Sequence, residues 1–148
     1  MTQGSLFGPE GGDSATANID GGSRGNPGPA GYGVRIEQSD GTVVELKEAL
    51  DTSTNNVAEY RGLLAALAWA AQHGIGKLHV RSDSLLLVKQ MQGEYRVKHP
   101  GLQPLYEEAR GLARRIGRVT FEHVRRELNK DADRLANEAM DEAAASQT

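Results

Sequence analysis

Four acidic residues stand where an α/β protein commonly builds a site: Asp20, Glu59, Asp83 and Asp133. Asp20 and Asp83 each follow a short strand-like segment, and ligands of open α/β sheets collect at such strand ends. Glu59 and Asp133 lie in the first two turns of helix-like segments. Taken singly, each acid has an ordinary explanation as a turn, capping or solvated residue.

A set of four converging carboxylates would have a definite chemistry. Their mutual repulsion has to be relieved, either by protons, which raises some of the pKa values, or by bound cations. Oxygen ligands select hard cations, and Mg²⁺ binds carboxylates while keeping several water molecules. Two such ions about 3.5–4 Å apart can stabilise the attacking and the leaving oxygen of an in-line phosphoryl displacement. That reaction needs no protein nucleophile, which suits a chain of 148 residues without cysteine.

The charge distribution permits a nucleic-acid partner without requiring one. The formal net charge is -3, but residues 77–126 hold 11 basic against 5 acidic residues, whereas residues 1–75 hold 4 against 9. Binding to phosphates needs a local basic surface, because each neutralised phosphate releases counterions. A solvated surface of mixed charge explains the same pattern.

The length and composition predict one domain with two short flexible ends. We expect the domain at residues 16–142, a flexible segment rich in Gly, Ser and Thr at 1–15, and a flexible tail at 143–148. No apolar run approaches the ~20 residues of a membrane span, and the first 15 residues lack the layout of a signal peptide. We therefore expect a cytoplasmic monomer without membrane contact.

Hydrophobic periodicity predicts the elements that must position the acids. A glycine- and proline-rich loop is expected at 21–31, after the first strand. Thr54 is expected to cap the first helix and Gly74 to end it. The predicted strands cover 17–20, 32–38, 42–50, 77–82 and 119–124, and the predicted helices cover 55–73, 84–92, 102–116 and 131–143. This βββαβααβα order predicts an α/β fold: a mixed five-stranded sheet, three strands antiparallel and the later ones parallel, with helices on both faces.

Four strings of residues carry a resemblance to a known family. They are NIDGGSRGNPGP at 18–29, TNNVAE at 54–59, RSDS at 81–84 and ADRLA at 132–136. In this order they are similar to the motifs of type 1 ribonuclease H. One such motif would be a weak signal, whereas four in the family's order are specific. The family's ribonuclease H-like fold, a mixed five-stranded sheet with helices, agrees with the order predicted from periodicity.

The resemblance implies an activity and a catalytic set. The expected enzyme is an endoribonuclease that hydrolyses the RNA strand of RNA/DNA hybrids by a two-metal-ion mechanism, leaving 5′-phosphate and 3′-hydroxyl ends. Two Mg²⁺ ions are the expected cofactors, with Mn²⁺ as an alternative. The metal-binding catalytic residues implied are Asp20, Glu59, Asp83 and Asp133.

The resemblance also implies a binding surface for the hybrid. It assigns Thr54 to a phosphate of the DNA strand, and it assigns to the minor groove Ser23, Asn26, Asn55 and Asn56. A hybrid differs from DNA chiefly by the 2′-hydroxyls in a wide, shallow minor groove, and asparagine amides can donate to and accept from these groups. Helix capping explains Thr54 and Asn55 as well, so these two residues can have both roles.

Two departures from the family pattern concern the loops. Many members carry a His in the loop before the last helix, but residues 125–130 contain none, and Arg126 occupies the position that an Arg has in the archaeal-type branch. A guanidinium can hold a phosphate but cannot act as a base at neutral pH. Arg126 is therefore a candidate catalytic residue for holding a phosphate, not for transferring a proton.

The second departure is that residues 93–104 lack the basic protrusion of many members. His123 is interpreted as structural, because it alternates with Val119 and Phe121 along a strand.

Two alternatives stay open. One is a related nuclease of the same superfamily, such as a junction resolvase or an enzyme that also cuts double-stranded RNA. The asparagine-rich motif argues against a substrate made only of DNA, but not against double-stranded RNA. The other is a catalytically inactive module that binds hybrids, and the presence of all four acids argues against it.

Overall fold

The computed structural model describes residues 13–147, and its elements follow the predicted order. As predicted, the Thr54 hydroxyl caps the first helix by accepting a hydrogen bond of 3.2 Å from the backbone N–H of Val57, and Gly74 follows its end with a φ of 69°. The elements are β1 (Asp13–Ser23), β2 (Gly28–Gln38), β3 (Val43–Ser53), α1 (Asn55–Gln72), β4 (Ile75–Ser82), α2 (Leu85–Met91), α3 (Gln103–Ile116), β5 (Arg118–His123), a 3₁₀ turn (Arg126–Leu128) and α4 (Lys130–Ser146).

The five strands form one mixed sheet in the order β3-β2-β1-β4-β5. β1 is antiparallel to β2 and β2 to β3, whereas β1 is parallel to β4 and β4 to β5, which confirms the predicted sheet. In the parallel pairing of β1 with β4, Ile19 lies opposite Ser82. The next residues along the two strands are Asp20 and Asp83, so the register places these acids side by side at one edge of the parallel pair.

Helices cover both faces of the sheet, as predicted. α1 packs on β1 and β2 and is joined there by α2 and α3, while α4 packs across β1, β2 and β3. The core on the α1 side is apolar and includes the fully buried side chains of Val34, Ile36, Leu63 and Leu67. Small residues dominate the buried side of α4, among them Ala132, Ala136 and Ala139.

Glycines in the strands let both helices approach the sheet closely. A Cβ atom at Gly21 would lie 2.4 Å from the carbonyl oxygen of Ala58 in α1, and one at Gly33 would lie 2.4 Å from Cβ of Leu135 in α4. The prediction that residues 21–31 form a loop is therefore wrong for most of its length, since Gly21 pairs with Tyr32 inside the sheet. These glycines serve close backbone approach rather than a turn.

The regular structure also extends beyond the predicted domain limits at both ends. β1 begins at Asp13, and Ala15 is buried in the core at 7% exposure, although residues 13–15 were assigned to the flexible segment. α4 continues to Ser146, and Ala143 is buried at 2% exposure, although it was assigned to the tail. Sheet pairing and helix packing order these residues. The prediction for residues 1–12 and 148 lies outside the described residues. Within residues 13–147, no helix is both long and apolar enough to cross a membrane.

The substitution Gly33→Ala is expected to destabilise the protein by about 1–3 kcal/mol, because the added methyl group overpacks the contact with α4. The matched control is Gly111→Ala in α3, where an added Cβ meets nothing within 4 Å. Since alanine favours a helix by ~1 kcal/mol over glycine, the control is expected to be neutral or stabilising. Urea unfolding measures both changes. Equal free energies of unfolding for the two variants would contradict the close approach of α4.

Candidate active site

A cleft of about 630 Å³ opens where the ends of β1 and β4 meet the first turns of α1 and α4. All four predicted acids line this cleft. It is lined by Asp20, Gly21, Gly22, Ser23, Arg24, Asn55, Glu59, Asp83, His123, Val124, Arg125, Arg126, Asp133, Asn137 and Met140. The structure thus brings together four acids that are separated by more than a hundred residues of sequence, while their catalytic role stays a prediction.

Asp20 lies near two other acids of the cleft, Asp83 and Asp133. β1 continues three residues beyond it to Ser23, but its pairing with β4 stops at Ile19. Burial raises the pKa of Asp20 to about 8, and the negative charge of Asp83 and a contact with Asp133 act in the same direction. Because burial and neighbouring negative charge both disfavour the ionised form, this carboxyl retains a proton at neutral pH in the absence of a cation.

Glu59 reaches the same cleft from α1. It follows Ala58, the residue against which Gly21 packs, so the close approach of α1 brings Glu59 to the acids of the sheet. Burial raises the pKa of Glu59 to about 7, the charge of Asp83 adds to this effect, and a hydrogen bond from Ser84 opposes it. The ionised form of a second carboxyl in the cleft is therefore disfavoured as well.

Asp83 has two positively charged or chargeable neighbours, Arg126 and His123. Burial raises its pKa, and Asp133 adds to the rise. The charges of Arg126 and His123 and a hydrogen bond from Asn129 lower it. Arg126, in the exposed 3₁₀ turn, therefore does lie at the site, at a distance where its charge stabilises the ionised form of Asp83.

The acids form an open group rather than a closed cage. Among residues 13–147, no three Asp, Glu or His side chains are arranged so that they alone could enclose one ion. Mg²⁺ does not require a closed cage, because it keeps several water molecules and binds through one or two carboxylates. The donor set consists of carboxylate oxygens, and the raised pKa values of Asp20 and Glu59 reflect repulsion and burial that a divalent cation would relieve. These residues fit a hard divalent cation.

A hydrogen-bonded strip of small polar residues borders the acids. The side-chain oxygen of Asn55 accepts hydrogen bonds from the backbone N–H of Ser23 at 2.8 Å and from its hydroxyl at 3.1 Å. The side-chain oxygen of Asn26 in turn accepts from the backbone N–H of Asn55 at 3.1 Å. Both amide oxygens are thereby occupied, so the NH₂ groups are left to donate to a ligand.

The predicted binding residues differ in how close they come to the acids. Ser23 and Asn55 line the cleft itself. Asn26 reaches it only through Asn55, while Thr54 caps α1 and Asn56 is exposed in the first turn of that helix. The last three therefore extend the polar strip away from the acids.

Sequence reasoning missed two residues that lie beside the acids, one in the cleft and one buried behind it. His123, which the alternation suggested to be structural, is exposed, lines the cleft and lies close enough to Asp83 for its charge to lower the pKa of that carboxyl. Asn129 was not singled out at all, since an Asn before a helix is usually a cap. Its side chain makes no capping hydrogen bond and is buried beside Asp83 instead.

Comparisons with known proteins agree with this geometry. The model of the family described as reverse transcriptase-like matches residues 18–139. Ribonuclease HI of Halobacterium salinarum is 41% identical over 136 residues, which is 91% of this chain and 68% of that protein. The chain belongs to the type 1 ribonuclease H family. The crystal structure of the Halobacterium enzyme has a TM-score of 0.83 and covers 88% of this chain and 99% of its own.

Two further relatives of this ribonuclease H domain have been solved. The N-terminal RNase H domain of a Mycobacterium tuberculosis protein is 50% identical, with a TM-score of 0.88, covering 92% of this chain and 99% of that one. LC11-RNase H1, solved in complex with an RNA/DNA hybrid, is 40% identical, with a TM-score of 0.82 and coverage of 88% and 99%. The full-length mycobacterial protein is called bifunctional, and at 53% identity this chain spans 35% of its length.

Proposed function

We propose that this protein is a ribonuclease H that hydrolyses the RNA strand of RNA/DNA hybrids with two divalent cations, Mg²⁺ or alternatively Mn²⁺. The observation that carries the proposal is the convergence of four carboxylates in one cleft, where burial and mutual repulsion raise the pKa values of Asp20 and Glu59. The family and the relatives named ribonuclease HI support it. The hybrid bound by LC11-RNase H1 supports the choice of substrate.

The four acids would hold the cations and orient the attack. When bound, two such ions lower the pKa of the attacking water and neutralise the charge on the leaving oxygen. Hydrolysis forms a bond between the water oxygen and phosphorus and breaks the bond to the 3′ oxygen, which leaves a 5′-phosphate and a 3′-hydroxyl. Asp20, which has Asp83 and Asp133 as neighbours, would be one of the carboxylates that hold the cations.

The polar strip would recognise the hybrid. Asn55 and Ser23 lie in the same cleft as the acids. The side chains that would contact the minor groove and the carboxylates that would act on the phosphodiester backbone of the RNA are therefore on one surface. The free NH₂ groups of Asn55 and Asn26 can donate to 2′-hydroxyls or to base edges. Arg126 would hold a phosphate of the RNA strand beside Asp83, since a guanidinium binds phosphate well and releases no proton at neutral pH.

The substitution Asn55→Ala is expected to raise KM for a hybrid about 5–10-fold and to change kcat less than about 3-fold, because it removes about one hydrogen bond to the substrate. Steady-state cleavage of a short labelled hybrid measures both constants. Gln72→Ala, at the exposed last residue of α1, is the control and should leave both unchanged. A fall in kcat with KM unchanged would contradict a role of Asn55 in binding.

A panel of substrates tests the proposed function. Wild-type protein is incubated with Mg²⁺ and a labelled hybrid, double-stranded RNA, double-stranded DNA or a four-way DNA junction. We expect cleavage of the RNA strand of the hybrid and no cleavage of either DNA substrate. Cleavage of double-stranded RNA at a similar rate would widen the substrate class, and cleavage of the junction alone would replace it. Binding of the hybrid without cleavage would indicate an inactive module. Light scattering during chromatography checks the expected monomer.

A further inference from the structure

A buried asparagine connects three of the elements that carry the acids. Asn129, directly before α4, has an exposed fraction of 1%, the lowest among the buried polar residues of the described chain. Its amide donates a hydrogen bond of 2.8 Å to the carbonyl oxygen of Ile19, the residue before Asp20. It also donates to Asp83, and its backbone carbonyl accepts from the N–H of Asp133 at 3.0 Å.

The orientation of the Asn129 amide is fixed by its neighbours. Its oxygen accepts a hydrogen bond of 2.9 Å from the side-chain amide of Asn18. A flipped amide would set two NH₂ groups against each other and would set its oxygen against the carbonyl oxygen of Ile19. Each of its two hydrogens therefore has its own acceptor, one in β1 and one on the acid after β4.

The side-chain contacts of Asn129 have no role in starting α4, which its backbone carbonyl does by accepting from Asp133. The side chain of Asn129 makes no capping hydrogen bond, although the residue occupies the capping position. Leaving a buried amide without its partners costs about 1–3 kcal/mol of folding free energy. The three side-chain hydrogen bonds, to Ile19, Asp83 and Asn18, therefore act as a rigid link rather than as a weak surface contact.

We propose that Asn129 is a positioning residue, whose buried amide ties the start of α4, and with it Asp133, to Asp83 and to the strand that carries Asp20, so that the three carboxylates are held where they can bind cations. The residue itself touches neither cation nor hybrid. The inference deepens the proposed function and rests on it for the identity of the cations. It predicts that loss of the amide weakens cation binding and turnover but leaves the binding of the hybrid intact.

The test uses two variants and two measurements. Asn129→Ala removes the amide, and Asn129→Leu removes it while keeping most of the volume. For both we expect kcat on the hybrid to fall about 10–100-fold with KM within about 3-fold, as is usual for residues that orient metal ligands. Without hybrid, the Mn²⁺ concentration that gives half of the maximal rise in Tm should increase about 10-fold. Asp83→Asn is run beside them as the direct loss of a ligand.

The control for stability is Ile116→Ala, a buried residue at the end of α3 that lies two residues before β5 begins, whereas the cleft lies where β5 ends. It should lower Tm without changing the Mn²⁺ midpoint or kcat. An unchanged Mn²⁺ midpoint in both Asn129 variants, an equal change in Ile116→Ala, or failure of both Asn129 variants to fold would overturn the positioning role. Because the Mn²⁺ measurement needs no hybrid, this outcome is separate from a wild-type protein that fails to cleave hybrids.

Discussion

Asp20→Asn is expected to lower the rate of hybrid cleavage by on the order of 10³-fold or more, while making the protein without cations more stable at pH 8. The loss of activity follows because a neutral amide is a poorer ligand for a hard cation than the carboxylate that it replaces. The gain in stability follows because the substitution removes a carboxylate from beside Asp83 and Asp133. Single-turnover cleavage and urea unfolding in EDTA measure the two effects.

The control for Asp20→Asn is Asp51→Asn, the same isosteric change on the exposed part of β3. It should leave both the cleavage rate and the stability unchanged. The combination of lost activity and gained stability distinguishes a functional acid from a structural one. Loss of both activity and stability in Asp20→Asn would show that the carboxylate supports the fold, and the proposed role of Asp20 would then fail.

Stability in EDTA is expected to fall as pH rises between about 5 and 8, and a divalent cation is expected to remove most of this dependence. Burial raises the pKa of Asp20 from 3.8 to about 8 and that of Glu59 from 4.5 to about 7. Between these values the folded protein binds more protons than the unfolded chain, so each unit of pH weakens the fold. One pKa unit is about 1.4 kcal/mol, and partial access of water reduces the sum, so we expect a fall of about 2–3 kcal/mol.

Urea unfolding at a series of pH values, in EDTA and in Mg²⁺, measures this dependence. Carboxylates with lowered pKa values, such as Glu138 beside Lys47, have the opposite effect, but they act at pH values below their ordinary pKa of 4.5. The window above pH 5 therefore reports mainly on the cleft. In Asp20→Asn the slope in EDTA should shrink. A free energy of unfolding that rises with pH through this window would contradict the raised pKa values described for the acids. An equal dependence of stability on pH in wild type and Asp20→Asn would contradict them as well.

The order of elements and the position of the acids could be predicted from sequence because both depend on local patterns. The helical period after Thr54, its capping hydroxyl and Gly74 define α1 within one residue. The short strand ending at Ser82, in which Leu78 and Val80 alternate with polar residues, defines β4. Once β1 and β4 were expected to be parallel, Asp20 and Asp83 had to lie at the same end of the sheet.

The features that were missed depend on tertiary contacts. Gly21 and Gly31 have the composition of a turn, and only the close contacts with α1 and α4 reveal that they are strand residues. His123 has the alternation of a core residue, but in the fold it is exposed at the last position of β5, beside Asp83. Asn129 has the sequence position of a cap, whereas its side chain bonds to Ile19, more than a hundred residues away in the chain.

The most direct test of the two-metal account is cleavage of a hybrid labelled on its RNA strand, with Mg²⁺ or with EDTA, by wild-type protein, Asp83→Asn and the control Asp51→Asn. The account predicts cleavage to 5′-phosphate and 3′-hydroxyl ends by wild type and Asp51→Asn in Mg²⁺ only. It predicts loss on the order of 10³-fold or more in Asp83→Asn. Cleavage that persists in EDTA, or that Asp83→Asn leaves at the wild-type rate, would contradict the account.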